Sequence, residues 1–496
     1  MVTLRLEIDR QAKHRKPIYR QIADQVIGQI RDGSLPNGSQ LPTVRELADH
    51  LDITRVTAHN AYNELKADGW IDATVGSGTY VMGLPSPSTP LETTADSALT
   101  PDRMMEDMNR LQQLPGTRSM AMAEPDSSLM PTSRFMGLLR SLERHANDLF
   151  HYGPYQGEPD LRHMVSGLLL DKNIRANPDD ILITTGVTQG LSLAVAALCE
   201  PGDKVIVEQP TYLGFLGILE SCGVEPVGVP LDEEGPRLDV LEKILLRERP
   251  RVFYTIPSFQ NPTGLSMSEE RRRQVLELAA EYGLTIIEDD IYGLLSYDGA
   301  PPPPLKARDR DDLVVYLDSF SKVLLPGLRV GYVVPPVALK ERILSLLRVR
   351  ELGGPPLLQR ALAEFIRRGF FQDHLKCVIP AYRKKRDVFV DALTRSMPEG
   401  VQWTSPRGGY CAWITLPEQG DFDQLYRTVL ARGVAFTPGE VFLTTSDRRK
   451  HLRLCFSSQD AQGIREAVST LGGVIKEMTV RRSVASSRSG LPKPIV

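Results

Sequence analysis

Two rhythms of apolar residues divide the chain. Up to about residue 82 the apolar positions recur at helical spacing. After Pro17, which suits the first turn of a helix, Ile18, Ile22, Val26, Ile27 and Ile30 share one helical face, and the Gly33 to Gly38 stretch breaks it. In LPTVRELADHL a second stripe runs through Leu41, Val44, Leu47 and Leu51. Beyond the short turn Asp52-Ile53 a further helix is predicted from Thr54 to about Asp68. Two short helices joined by a tight turn make a helix-turn-helix. IDATVGSGTYV, apolar on both sides of Gly76-Ser77-Gly78, predicts a hairpin wing.

From about Arg118 to Val480 the rhythm changes. Short runs of apolar residues (ILITTG, KVIVEQ, VFYTIP, LTIIED, LVVYLDSFS) alternate with helical or loop segments, as buried parallel strands do, and predict an α/β domain. Between the two regions Pro85, Pro87, Pro90 and Pro101 punctuate a polar stretch with no periodic face, which reads as a linker. The last residues, RRSVASSRSGLPKPIV, are rich in Ser and Pro and predict a loose tail. The expected organisation is a head over 11–82, a linker over 83–117, a body over 118–480 and a tail over 481–496.

Composition narrows the setting. A chain of 496 residues, 41% hydrophobic, exceeds what one core organises, so two or more domains are expected. The five cysteines are scattered without a CxxC pair or zinc-site spacing; no metal is expected, and a reducing cytoplasm is the simplest setting. No leader-like or membrane-spanning apolar run is present, so no membrane partner is expected. Residues 1–82 hold ten Lys or Arg against ten Asp or Glu; Arg10, Lys13, Arg15, Lys16 and Arg20 concentrate the positive charge.

The chemistry lies in the residues just beyond each strand, because ligands gather at strand ends. Gly186-Val187-Thr188-Gln189-Gly190 opens a helix whose backbone amides can cradle a phosphate. Glu208-Gln209-Pro210-Thr211-Tyr212 offers an aromatic ring to a flat cofactor. In Asn261-Pro262-Thr263-Gly264 the Asn amide can donate to a ring oxygen. Asp289 and Tyr292 supply a carboxylate and a phenol, and an Asp paired with a pyridine nitrogen keeps that ring an electron sink. Ser319-Phe320-Ser321-Lys322, followed by Arg329, adds hydroxyls and a guanidinium for the phosphate and an amine able to form a Schiff base.

The head resembles the winged helix of the GntR regulator family, whose pattern LPxxRxLAxxLxVxRxTxxxAYxxLxxxGxI ending in GxGTxV is met at Leu41, Pro42, Arg45, Leu47, Ala48, Leu51, Arg55, Ala61, Tyr62, Leu65, Gly69, Gly76, Gly78 and Thr79. The resemblance implies binding to double-stranded DNA. Arg45 and Arg55 would reach phosphates or base edges, Thr54, Thr57 and His59 would face the major groove, and the wing at Gly76, Ser77 and Gly78 would sit over the adjacent minor groove. The family usually has Gly in place of Asp52, and often a basic residue near Thr74.

The body resembles fold-type I, class I aminotransferases, which implies pyridoxal 5'-phosphate as cofactor. Residue by residue, Lys322 is the Schiff-base lysine, Asp289 the partner of the ring nitrogen, Asn261 and Tyr292 the partners of the ring oxygen, and Tyr212 the stacking ring. Val187 and Thr188 amides with Ser319, Ser321 and Arg329 would hold the phosphate. Tyr152, in HYGPYQGEPDLR, would reach the phosphate of a neighbouring subunit, which implies a homodimer. His451 to Ser457 resembles the carboxylate-binding strand and makes Arg453 the anchor of an amino-acid carboxylate.

Head, linker and body together resemble the MocR subfamily of GntR-type bacterial regulators. The implied architecture is a winged helix-turn-helix followed by a large mixed-sheet domain and a small C-terminal α/β domain. The implied function is a transcription regulator that senses an amino acid, an amine or the cofactor itself; an active aminotransferase with a 2-oxo acid acceptor and an appended DNA-binding head is the alternative. A linker of this length reaches roughly 30 Å, comparable to the spacing of successive half-sites, so paired operator half-sites are expected. The segment Ala123 to Pro131 departs from the family's Gly-x-Pro-Asp-x-x-Leu-Phe-Pro, which leaves the ligand's identity open.

Overall fold

The computed structural model describes residues 4, 6–8, 17–31, 34–67, 70–74, 78–82, 117–145, 149–300, 303–417 and 421–489, in two compact units. Wing-tip residues Gly76 and Ser77, residues 83–116 of the expected linker, and Arg10, Lys13, Arg15 and Lys16 lie outside the described residues.

In the first unit α1 (Ile18–Arg31), α2 (Val44–Leu51) and α3 (Arg55–Ala67) pack around Ile22, Val26, Leu47, Ala58 and Leu65, all buried. Strands β1 (Gln40–Leu41), β2 (Ile71–Thr74) and β3 (Gly78–Val81) form an antiparallel sheet in the order β1-β3-β2. A reciprocal cap starts α2: Glu46 N donates to Thr43 Oγ1 at 3.2 Å and Thr43 N donates to Glu46 Oε2 at 2.8 Å. Asp52 ends α2 in the left-handed conformation (φ 49°), the backbone that glycine adopts without strain, which accounts for the family's Gly there. The unit also reaches further upstream than residue 11. Leu4 is buried in the same core, Leu6 and Ile8 pack against it, and Glu7 N and O bond the Gln25 amide at 2.9 and 2.7 Å. The alternation in LRLEI carries that signal.

The second unit opens with β4 (Arg118–Ser119). Its large sheet contains β5 (Leu182–Thr184), β6 (Lys204–Gln209), β7 (Glu225–Asp232), β8 (Gly235–Pro236), β9 (Val252–Thr255), β10 (Thr285–Asp289), β11 (Val314–Ser319) and β12 (Gly331–Val334), in the order β5-β12-β11-β10-β9-β6-β7-β8. Strands β7, β6, β9, β10 and β11 pair in parallel, whereas β12 is antiparallel to both β11 and β5. The sheet is therefore mixed, and β5, whose apolar run suggests one of a parallel set, has only an antiparallel neighbour. Because β12 runs against both its neighbours, β5 still points the same way as β6, β9, β10 and β11, and all five deliver their following residues to one edge.

The small subdomain has β13 (Gln402–Trp403), β14 (Cys411–Thr415), β15 (Val434–Ala435), β16 (Thr437–Pro438) and β17 (His451–Cys455). Four of these form an antiparallel sheet, β13-β14-β17-β16, while β15 pairs in parallel with β4. The body's first strand is thus stitched to its last subdomain. The final helix, Ala461–Ser489, corrects the expected tail: it continues through Arg481 to Ser489, since Ala and Arg sustain a helix and no Pro intervenes before Pro492.

Candidate functional site

At the phosphate end, Gly186 caps the helix Val187–Leu198 with φ 110°, so the first helical amides of Val187 and Thr188 are exposed to a ligand. A Cβ on Gly186 would meet Arg329 Nη2 at 2.9 Å: the guanidinium lies directly over the helix N-terminus. Ser319 Oγ is hydrogen-bonded to Ser321 Oγ at 3.0 Å and to Val330 O at 3.0 Å, which fixes both hydroxyls beside it. A cationic fork, two hydroxyls and a helix start form a cradle that a methyl group would fill, which fits a phosphate.

Asp289 ends β10 and is buried. Tyr254 OH donates to its Oδ2 at 3.1 Å and Ile291 N to its Oδ1 at 3.3 Å; burial pushes its carboxyl up to about 7. A buried carboxyl so destabilised as an anion favours a cationic partner such as a protonated ring nitrogen. Tyr254 is not among the sequence candidates. It sits inside the apolar run VFYT, where nothing distinguishes it from a core residue. Glu208 and Gln260 are also absent from the sequence candidates, because their link across two strand ends has no sequence spacing. Gln260 Nε2 donates to Glu208 Oε2 at 3.1 Å, and Gln260 Oε1 accepts from Thr263 N at 2.8 Å, which holds the Asn261 turn in place.

Asn261 Oδ1 accepts from Arg453 Nη1 at 2.9 Å, turning its amide nitrogen away from the arginine. Tyr292 is buried edge-on to Tyr410. Burial and the Asp289 carboxylate push the Tyr212 phenol up, while Arg453 and Thr188, beside the phosphate cradle, draw it back. Arg453 is 5% exposed; its Nη2 donates to Ala121 O and, at 3.1 Å, to Thr437 Oγ1, while among the described residues its Nε has no hydrogen-bond partner. An unmatched donor on a buried guanidinium is what an incoming carboxylate would satisfy.

Lys322 Nζ donates to Ala123 O at 2.7 Å, and burial holds its amine below the ordinary lysine range. The carbonyls of Ala121 and Ala123 are invisible in the sequence, because backbone acceptors carry no residue signature. Their segment is tied down further on: Lys385 Nζ donates to Asp126 Oδ2 at 2.6 Å and Asp126 N to Tyr382 OH at 2.9 Å. Tyr152 is not brought to the site of its own chain; it is 84% exposed, near Phe150 at 78%.

In the head, Thr54 Oγ1 accepts from Thr57 N at 3.2 Å and so caps α3, with Arg55 and His59 exposed. Val56, 68% exposed on the first turn of α3, is a further candidate that the family pattern does not single out. Arg45 is exposed on α2 near Asp49.

The mixed sheet, the strand-end lysine and aspartate and the antiparallel subdomain define a fold-type I aminotransferase body behind a winged helix. Residues 127–471 match the model of aminotransferase class I and II, and residues 18–81 that of bacterial regulatory proteins of the gntR family. The chain is 30% identical to the HTH-type transcriptional regulator YdfD of Bacillus subtilis over 94% of this chain and 98% of that one. It is 27% identical to the probable rhizopine catabolism regulatory protein MocR of Rhizobium meliloti, over 94% and 95%. Among solved structures, the alpha-aminoadipate aminotransferase LysN of Thermus thermophilus, complexed with N-(5'-phosphopyridoxyl)-L-leucine, is 34% identical with TM-score 0.71 over 76% of this chain and 95% of that one. The chain belongs to the aminotransferase class I and II family through its body and, as a whole, to the MocR subfamily of GntR-type transcription regulators. It is a DNA-binding regulator with an aminotransferase-like, small-molecule-binding domain on a fold whose members use pyridoxal phosphate. No helix among the described residues is long and apolar enough to cross a membrane.

Proposed function

We propose that this regulator binds pyridoxal 5'-phosphate at Lys322 and senses an amino acid or related carboxylated amine between Lys322 and Arg453. When bound, the cofactor supplies an aldehyde carbon that joins covalently to amines. Lys322 holds it, Asp289 takes the ring nitrogen, Asn261 and Tyr292 the ring oxygen, and Tyr212 a ring face. Val187, Thr188, Ser319, Ser321 and Arg329 take the phosphate.

One observation carries the sensing role. Lys322 and Arg453, which would meet opposite ends of the ligand, donate to Ala123 O and Ala121 O, two carbonyls of one short stretch. That stretch begins at Arg118, where the expected linker to the head ends. Holding the cofactor takes Lys322 away from Ala123 O, a ligand amine that replaces Lys322 on the cofactor frees it to return, and a ligand carboxylate competes with Ala121 O for Arg453, so binding changes the anchorage of the segment leading to the DNA-binding head. Such differential contact is the requirement for a ligand to shift an equilibrium between two states.

The head would place Arg45 and Arg55 on phosphates and Thr54, Thr57 and His59 in the major groove, with Gly76, Ser77 and Gly78 over the minor groove. Exposure of Phe150, Tyr152 and Tyr155 supports a homodimer in which Tyr152 reaches the phosphate of a second copy. Two heads would engage paired half-sites in a bacterial cytoplasm. The lowered proton affinity of Lys322 supports turnover as a second reading, since proton transfer needs such a base. A panel of amino acids and amines, mixed with cofactor-loaded protein and a 2-oxo acid, separates the two. Spectral change without sustained oxo-acid release is expected, and sustained release would make the protein an enzyme.

A further inference from the structure

Of the five cysteines, two that are far apart in sequence meet in the site. Cys411 on β14 and Cys455 on β17 are register partners across an antiparallel pair, with sulfurs 3.2 Å apart. Cys455 N donates to Met120 O at 2.8 Å, away from β14, and the next bond across is Phe456 N to Tyr410 O at 3.1 Å. The cysteines are therefore a non-hydrogen-bonded pair, whose Cα atoms approach to about 4.5 Å, within the range a disulfide spans. Their sulfurs need to close only to about 2.05 Å.

The pair touches what holds Arg453. Cys411 Sγ lies 3.9 Å from Asn261 Oδ1 and Cys455 Sγ 4.0 Å from Ala121 O, and both oxygens also accept from the Arg453 guanidinium. Arg453 and Cys455, two residues apart on β17, face the same side. Both thiols are buried, so an oxidant that reaches them would have to be small enough to pass through the ligand site.

We propose that Cys411 and Cys455 are a redox-active dithiol on the floor of the ligand site, closed to a disulfide by a small hydroperoxide, and that closure weakens carboxylate binding at Arg453. The second half rests on the proposed role of Arg453 as carboxylate anchor; the first does not. The Cys455 thiolate attacks the terminal peroxide oxygen, the O–O bond breaks, and the departing oxygen takes a proton to leave as water from hydrogen peroxide, or as the alcohol from an organic hydroperoxide, giving a sulfenic acid. The Cys411 sulfur then displaces the sulfenic oxygen, which leaves as water with the Cys411 proton. Two thiols lose two electrons and one peroxide gains them. Burial raises the Cys455 thiol, but its bond from Cys411 and the Arg453 and Lys322 cations carry it below the ordinary thiol value, whereas burial and Asp203 push Cys199 up to about 11. Cys455 is thus set up as the attacking sulfur.

The test treats reduced, cofactor-loaded full-length protein with hydrogen peroxide, blocks free thiols in denaturant, and maps the peptides by mass. The expected result is a linked Cys411–Cys455 peptide, about two mass units below its thiol parts and released by dithiothreitol. Peroxide consumption with no such link, or oxidation confined to exposed Cys377, overturns the dithiol. Amino-acid affinity, read from cofactor absorbance, is expected to fall about tenfold on oxidation, to return on reduction, and to stay unchanged under peroxide in Cys411→Ser. A link that forms without changing wild-type affinity overturns the coupling to Arg453 and leaves the dithiol standing.

Discussion

The Lys322 amine donates to the Ala123 carbonyl at 2.7 Å, and the two residues are joined only through the fold, 199 positions apart in the chain. Through that contact the residue expected to hold the cofactor also holds the segment that leads back to the head. Removing the amine tests the first of these roles. Lys322→Ala is expected to abolish the visible absorbance of protein loaded with pyridoxal phosphate; an unchanged spectrum contradicts Lys322 as the attachment point.

Gly186 leaves no room for a side chain. Its φ of 110° and the Arg329 guanidinium, 2.9 Å from where a Cβ would stand, make Gly186→Ala strained and obstructive. Displacing the guanidinium from the phosphate is expected to weaken cofactor binding at least about tenfold, equivalent to losing one charge-assisted hydrogen bond. Titration of apoprotein with cofactor, followed by absorbance, measures this, and wild-type affinity in the variant would rule out the cradle as the phosphate site.

Asp289 gives a pH dependence with a definite sign. Burial raises its folded-state pKa to about 7, above the ordinary carboxylate value, so the folded apoprotein binds this proton more tightly than the unfolded chain. The resulting stability is present at low pH and lost as pH rises to the folded pKa. Glu208, also pushed up to about 7 by burial, acts in the same direction. Apoprotein melting temperature is expected to fall between about pH 4 and 7, and to fall less steeply in Asp289→Asn. Equal slopes in the two proteins contradict the assignment.

Asp52 occupies a backbone conformation that costs L residues about 1 kcal/mol or more and glycine almost nothing. Asp52→Gly is expected to slow amide exchange in α2 and α3 about fivefold, the equivalent of roughly 1 kcal/mol. Faster exchange would mean that the aspartate side chain stabilises the turn.

Much of the site is legible in the sequence because its residues punctuate strand ends. Asp289 and Lys322 stand where short apolar runs stop, and Gly186 where a helix starts. Tyr254 and Glu208 are hidden inside those runs, since a polar atom that completes a buried network looks like core until its partners are placed. The carbonyls of Ala121 and Ala123 have no side-chain signature at all. Strand β12 turns a parallel sheet into a mixed one, and the apolar pattern of GYVV carries no information about its direction. Cys411 and Cys455 look scattered because cross-strand neighbours carry no fixed spacing. The helix through Arg481 resembles a tail because of its serines, which weaken helices less than they favour turns.

Hydrogen exchange of residues 118–126 in the cofactor-loaded protein, with and without a bound amino acid, tests the central claim most directly. If the ligand amine releases Lys322 from the cofactor and the ligand carboxylate draws Arg453 from Ala121, exchange across this segment changes on binding, and Arg453→Ala abolishes the change. A ligand that alters the cofactor spectrum yet leaves exchange in 118–126 untouched would contradict the claim that this segment carries the signal.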